Sequence, residues 1–368
     1  MLVTRRDNWM TTRQFSFLQI SLTFILSVGM VNHVLLIPQL MEVSGRDSWI
    51  TVLLACVVFL PVFIIIGYIV KKTRHTGMHD WLLEHYGKWI AVPISVLTGL
   101  TLLSIIVVES KDMVIWTNSS YLPETPPWVL IVLFLALALY SALSGLKTVV
   151  ITSGILLPVV ILLGEFVMLA NFSNKDYTLL LPVFEHGSGP AWRGVIYIGA
   201  GLLELIFFVY IQQFISGSVK KRYMIILGLV LAGLALGPTM GAIAAFGPVE
   251  SALQRNPAFE QWRLVRIGSY IEHVDFLSIF QWISGAFIRV AFSLYIMMEL
   301  LPSKGKRWFL TAIAAICAAA VIYPVGDIVF FNVLKSYYYP VLFSVLLLLT
   351  LVIFVLVRFA KPLKEVQA

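Results

Sequence analysis

Ionisable side chains set inside long apolar runs mark where this sequence could do chemistry. Glu204 lies near the middle of one run and Arg289 near the middle of another. A charge inside a membrane-spanning helix costs on the order of 3 kcal/mol on insertion scales, so it faces the protein interior and a partner. Glu204 and Arg289 are therefore expected to meet at one depth, as an ion pair or as two ends of a polar site. A pair that only orients two helices fits equally well. Glu109, Lys111 and Asp112 occupy the outer part of a third run and Glu165 that of a fifth, where they could line an outward vestibule or lie at headgroup depth. Snorkelling favours headgroup depth for Lys111. His33 reads as a hydrogen-bonded core residue ahead of a proton relay.

Two glycine-bearing stretches stand beside these charges. One is Ser27-Val28-Gly29-Met30-Val31-Asn32-His33, in a long apolar run that also carries Pro38; the other is Tyr197-Ile198-Gly199-Ala200-Gly201-Leu202-Leu203-Glu204. They lie five spans apart. A half of five helices followed by another five is inverted in the membrane, so matched interruptions in helices one and six suggest an inverted-repeat transporter fold. At such a break, freed N–H and C=O groups could hold the carboxylate and amine of a zwitterion. Glycine is also frequent in membrane helices for packing alone, and both readings stand. Gly233, Gly237 and Gly241 in helix seven have the spacing of a packing face.

The elements that position these residues follow from composition. Apolar residues make up 60% of the 368 and charged residues 12%, a balance that requires lipid as solvent. About 20 apolar residues cross a bilayer, and ten runs qualify: 14–41, 48–70, 89–117, 127–144, 148–171, 191–215, 223–247, 275–301, 308–326 and 336–358. The expected fold is an all-α integral membrane protein of ten transmembrane helices. It is one polytopic domain over 1–368, with repeats at about 14–171 and 191–358 and with helices 1 and 6 broken.

Orientation comes from the basic residues, which resist translocation. Of the 26 Lys and Arg, seventeen fall in the terminal segments and the loops on the same side, seven fall opposite, and Lys111 and Arg289 fall within spans. A miscounted helix would destroy this alternation, so both ends are expected in the cytoplasm. The run after Arg5, Arg6 and Arg13 exceeds a signal h-region and reads as a retained first helix. The basic clusters punctuate apolar runs and do not form a nucleic-acid-binding face. Cys56 and Cys317 lie in apolar runs as packing residues. The long outer loops 172–190 and 248–274 include Phe259, Trp262, Arg263, Arg266 and Tyr270, which could form an interfacial helix or a plain surface one. No metal motif, phosphate loop or nucleophile–base pair stands out, so neither an enzyme nor a cofactor is expected.

Leu122-Pro123-Glu124-Thr125-Pro126 resembles the LP-x-TP turn of the spore germination permease family, the B subunits of nutrient germinant receptors. Pro257 to Trp282, with Arg266, Ile271, Glu272, Asp275 and Trp282, is similar to that family's outer-loop pattern, as is Leu181-Pro182-Val183-Phe184. The resemblance covers nearly the whole chain. It implies the LeuT-like fold of the amino acid, polyamine and organocation (APC) transporter superfamily, with helices one, two, six and seven as a bundle against a scaffold of three, four, eight and nine. It also implies the spore inner membrane, an A subunit and a lipoprotein C subunit as partners, and amino acids as the usual germinants. Carried onto this chain, Gly29, Met30, Val31, Gly199, Ala200 and Gly201 would surround the ligand, with Leu103 and Phe287 closing the sides. Permeases of the superfamily often carry two glycines one residue apart in helix one, where this chain has a single Gly29 between Val28 and Val31.

Three functions share this pocket: a receptor subunit that senses a germinant without net transport, a proton- or cation-coupled amino-acid permease, and an ion or water conduit through His33, Glu109 and Glu204. Small residues at 199–201 would suit a small amino acid such as alanine.

Overall fold

The computed structural model describes residues 15–73, 76–268, 273–301 and 305–361. Arg5, Arg6, Arg13, Tyr270, Ile271 and Glu272, named above, and Arg74, Lys304 and Lys364, counted above among the seventeen basic residues, lie outside the described residues. Among the described residues the regular structure is helical, with one isolated parallel bridge between Phe15 and Ile215.

The first helix, α1 (Phe17–Met30), starts at a capping box: the Gln19 amide donates to the Ser16 hydroxyl at 3.2 Å, and the Ser16 amide donates to the Gln19 side chain at 2.8 Å. It runs into a π turn, Val31–Leu35, and then into α2 (Ile37–Ser44). Pro38 sits in the first turn of α2, where a missing N–H removes no helical bond. The chain reverses at Gly45, whose φ of 53° no β-carbon has to tolerate. Next come α3 (Ser48–Val58) and α4 (Leu60–Thr73), bent by 41° against each other. The short α5 (Met78–Tyr86) precedes α6 (Lys88–Ser120), α7 (Pro127–Leu143) and α8 (Leu146–Ala170). After the outer connection, α9 (Gly189–Leu203) gives way to a 3-10 stretch, Glu204–Tyr210. The rest of the chain forms α10 (Lys221–Phe246), α11 (Pro248–Leu253), α12 (Pro257–Arg263), α13 (Leu277–Leu300), α14 (Lys306–Ile322) and α15 (Asp327–Val333). A second π turn, Leu334–Tyr338, leads into α16 (Tyr339–Phe359).

Among the described residues, seven helical segments are long and apolar enough to cross a membrane: Phe17–Leu35, α6, α8, Gly189–Tyr210, α10, α13 and Asp327–Phe359. The bent pair Ile37–Val58 and Leu60–Thr73 makes an eighth. The two remaining predicted spans correspond to α7 and α14, of 17 residues each. Large apolar side chains stay exposed along α7, α8 and α16, among them Leu137, Ile155, Leu162 and Leu348. Apolar residues on the outer as well as the inner faces of helices are what a lipid solvent requires.

The helices sort into two packing groups. In one, α10 lies against α1, α3 and α4, while α9 lies against α2 and α3; in the other, α13 lies against α6 and α7, and α14 against the same two. Contacts of α1 with α8 and α13, and of α16 with α4 and α9, join the groups. Cross-links at opposite ends show how the chain alternates. At one end Phe15 bonds Phe214 and Gln212 bonds Thr73. At the other, Arg46 pairs with Glu185, Glu42 with Lys335, and the Phe184 amide donates to Asp47 at 2.8 Å.

Two sequence expectations change here. On α10, Gly233 and Gly237 face open space, whereas a β-carbon on Gly228 would lie 2.6 Å from the Phe63 ring; Gly228 and Gly241 are the packing glycines, not the regularly spaced trio. The loop helix α12 is not simply laid on the surface: Trp262 and Gln261 are buried, and Trp262 forms a small second core with Val167, Val265 and Val274. Overpacking a helix contact typically costs about 1–3 kcal/mol. Gly228→Val should therefore lower the thermal unfolding temperature in detergent while Gly233→Ala leaves it unchanged; equal effects would contradict this packing.

Candidate functional site

The unwinding of two apolar segments brings their charges together. Glu204 is the residue at which α9 changes to 3-10 geometry, and Arg289 lies midway along α13, facing it. Arg289 grips Glu204 in a bidentate pair, Nη1 to Oε2 and Nη2 to Oε1, both at 2.7 Å. The guanidinium fork suits a carboxylate held in this way. Arg289 Nε also stands 3.0 Å from Glu109 Oε2 on α6, at ion-pair distance but without hydrogen-bond alignment. All three side chains are at most 4% exposed. Two carboxylates thus face one guanidinium, and with both ionised the trio carries one uncompensated negative charge. Tyr338 and Tyr339, at the second π turn, bring buried hydroxyls into the same electrostatic neighbourhood.

The sequence pairs Glu204 with Arg289 but leaves Glu109 open between an outward vestibule, headgroup depth and a polar path with His33 and Glu204. The structure buries it as the third member. Its neighbours find partners inside the protein. Lys111 is buried, and its Nζ donates to the carbonyls of Val321 at 2.8 Å and Tyr323 at 2.9 Å, capping the end of α14. Asp112 is buried and pairs at 2.5 Å with Arg255, which also reaches Asp327 at 3.1 Å. Arg255, from the connection between α11 and α12, therefore straps α6 to the start of α15 above the trio. Glu165 is exposed on the outside of α8 and lines nothing.

His33 has a structural explanation the sequence contains but does not advertise. Pro238 lies inside α10 and has no N–H, so the carbonyl four residues earlier, Leu234, loses its helical partner. His33 Nδ1 sits 3.0 Å from that carbonyl. Facing an acceptor, Nδ1 carries the proton and Nε2 keeps its lone pair. Asn32 Nδ2 likewise donates to the Leu231 carbonyl at 3.0 Å. The π turn thus hangs on α10 by two side chains.

The glycines expected to open the helices do something else. Gly199 and Gly201 lie within regular α9, and the departure from α geometry begins after them, at Glu204. A β-carbon at Gly199 would come within 2.3 Å of Phe59, and one at Gly201 within 1.9 Å of Asn32 Oδ1. Gly29 ends α1 against Leu234 in the same way. Nor are the interruptions open cradles: the Leu36 amide donates to the Val31 carbonyl at 3.0 Å, so the π turn stays hydrogen-bonded. Ala200 and Val31 are buried beside these contacts. On α13 the residue that meets the first segment is Gly285, where a β-carbon would lie 2.1 Å from Met30 Cγ. Phe287 is two residues on, about 200° around the helix, and so turned away. Leu103 is only partly buried and stands about 240° around α6 from Glu109. Gly285 is the residue sequence reasoning missed; its signal is its place four residues before Arg289, on the same helix face.

The motifs at the end of the bundle held by Asp112 and Arg255 also converge. Asn118 Nδ2 donates to the carbonyls of Leu122 and Thr125, at 2.9 and 2.8 Å, and pins the Leu-Pro-Glu-Thr-Pro turn. Tyr121 beside it donates to the Asp275 carbonyl at 2.8 Å, and Trp116 stacks on Trp282 with ring centroids 4.6 Å apart. Comparison with known proteins bears on this arrangement. The family described as spore germination protein matches residues 11–327. The chain belongs to that family. Spore germination protein XB of Bacillus anthracis is 42% identical over 342 residues, covering 90% of this chain and 96% of that protein. Spore germination protein B2 of Bacillus subtilis (strain 168) is 22% identical over 350 residues, covering 88% and 93%, and spore germination protein KB of the same organism is 22% identical over 261 residues, covering 69% of each. With its apolar helices, this family member is a multi-pass membrane protein.

Two measurements check the site. Removing one partner of a buried ion pair costs about 3–5 kcal/mol, so Arg289→Met should collapse the yield of folded protein, and adding Glu109→Gln and Glu204→Gln should restore much of it. No recovery in the triple variant would count against the trio as one electrostatic unit. Leaving a buried carbonyl unpaired costs about 1–3 kcal/mol. His33→Leu should destabilise the natural chain by that much but have little effect beside Pro238→Ala, which returns an N–H to the Leu234 carbonyl; equal losses in both backgrounds would refute the pairing.

Proposed function

We propose that this chain is the membrane-embedded subunit of a nutrient germinant receptor in the spore inner membrane. It binds an amino acid or a similarly small germinant and works with an A subunit and a lipoprotein C subunit. Beneath this reading lies a fold of ten spans in two inverted sets of five, 14–171 and 191–358, with both ends cytoplasmic. At 17 residues, α7 and α14 are each about 25 Å long, near the lower limit for a span. Exchanging the first five spans with the last five carries the packing largely onto itself: α1 on α8 corresponds to α9 on α16, α7 on α13 to α14 on α6, and α8 on α13 to α16 on α6.

The observation that carries the function is the Arg289 trio. It fastens the interrupted span of Glu204, in one packing group, to α6 and α13, in the other. A small ligand that favours one packing of the two groups shifts the population between them. Gly29, Met30, Val31, Gly199, Ala200 and Gly201 are the proposed surroundings of that ligand, with Gly285 in place of Leu103 and Phe287 at the side. Met30 rests on Gly285 in this packing, and its flexible thioether is a displaceable filler.

The uncompensated charge of the trio favours a second reading, an amino-acid permease whose coupled proton or cation neutralises Glu109 or Glu204. Vesicles containing only this chain separate the two. Binding of labelled amino acid without accumulation is expected; coupled uptake would replace the receptor by the permease. In spores, Glu204→Gln at normal receptor-subunit levels should raise the germinant concentration needed by roughly tenfold or more, the equivalent of about 1.4 kcal/mol. Gly201→Leu, which drives a side chain into Asn32, should abolish the response. An unchanged dose response in Glu204→Gln would remove the trio from sensing.

A further inference from the structure

A cavity of about 310 Å3 opens where α4 ends and α10 begins, lined by Val70, Lys71, Gln212, Gly217, Lys220 and Lys221, with Ser218 at its edge. Its place follows from the helix ends. Thr73 closes α4, Lys221 opens α10, and the start of α1 is tied to the same corner through Phe15 and Phe214. Where three apolar helices end together, the bilayer has reached its headgroups. Lys72 and Arg222 flank the cavity, and none of its lining residues is acidic.

Basic residues at this end are what topology alone demands. Topology demands neither a concavity nor the two further features present. Gln212 is 4% exposed, and its Nε2 donates to the Thr73 carbonyl at 3.3 Å and to Thr73 Oγ1 at 2.6 Å; a carbonyl only accepts, so the amide orientation is fixed. Its Oε1 is left as a buried acceptor with no donor, in a side chain that lines the cavity. The second feature is the start of α10. Lys220 at its N-cap makes no side-chain cap; the Tyr223 amide turns back to the Lys220 carbonyl at 2.9 Å, and the N–H groups of Lys221 and Arg222 at the start of this 26-residue helix are left for an anion.

We propose that this cavity binds the headgroup of an anionic glycerophospholipid. The phosphodiester lies among Lys71, Lys220, Lys221 and the first N–H groups of α10, and a headgroup hydroxyl donates to Gln212 Oε1. The acyl chains leave along the apolar faces of α4 and α10. Bound there, the lipid clamps the end of α4 to that of α10, at a contact already close enough that a β-carbon on Gly67 would lie 3.4 Å from Lys221 Cα.

The test is titration of the full chain, purified in neutral detergent, with fluorescent phosphatidylglycerol, phosphatidylcholine and inorganic phosphate. Saturable binding of phosphatidylglycerol is expected, well above that of the other two. The double variant Lys220→Gln/Lys221→Gln should weaken it roughly thirtyfold, from about fivefold per basic residue at a membrane surface. Lys306→Gln/Arg307→Gln, which changes two basic residues that are not part of the cavity lining, should leave it unchanged. Ser218→Glu places a carboxylate at the exposed edge and should also suppress binding, which keeps the test alive should the double lysine variant not fold. Equal affinity for phosphatidylcholine, or equal losses at Lys306 and Arg307, would reduce the site to general surface attraction and overturn the proposal. Competition by inorganic phosphate at similar concentration would make it a free-anion site and overturn the lipid assignment. Undiminished binding in Ser218→Glu would refute the location.

Discussion

A guanidinium in the middle of an apolar bundle is stable only where carboxylates and hydrogen bonds replace the water it has lost. Arg289 meets that demand by drawing Glu204 and Glu109 from two other segments to one point. The consequence is geometric as much as electrostatic. A bidentate pair fixes the rotation of α13 relative to the interrupted segment six, and the third carboxylate fixes the height of α6. Much of the order at the centre of the bundle follows from three side chains that cannot be left alone.

The same absence of water governs the backbone. In a bilayer each N–H and C=O must find a partner within the protein, yet segments one, six and ten all depart from α geometry. None of these departures leaves the backbone open. Segment one passes into π hydrogen bonding and segment six into 3-10 bonding, while Pro238, which orphans a carbonyl on the helix facing the first break, is answered by His33 across the interface. Side chains thus supply what proline removes. These repairs depend on the two helices staying in place, so the interruptions are coupled to the packing around them and suited to change with it.

The end of the bundle opposite Phe15 adds a strap. Arg255 joins Asp112 and Asp327, α12 plugs its tryptophan beneath the loop, and the Leu-Pro-Glu-Thr-Pro turn meets Asp275 through Tyr121. Asp112 follows Glu109 by one turn of α6, so the strap and the central trio are stacked along a single helix face. Tyr121 and Asp275, 154 residues apart in the chain, are in contact here, which brings together two stretches that look unrelated in the sequence.

The sequence by itself determined the lipid solvent, the apolar helices and the meeting of Glu204 with Arg289, because each follows from a transfer cost that is local and large. It also located the two interruptions to within about one turn. Only the tertiary structure decided which neighbours complete them. Whether Glu109 belongs to a vestibule or to the core depends on the tilt of a 33-residue helix, and whether Gly199 and Gly201 open a helix or admit Phe59 and Asn32 depends on what packs against them. Gly285 in place of Phe287, and Leu234 as the partner of His33, are facts of rotation and register between helices. A residue type carries its own solvation energy wherever it stands, but its partner is set by the packing of the whole bundle.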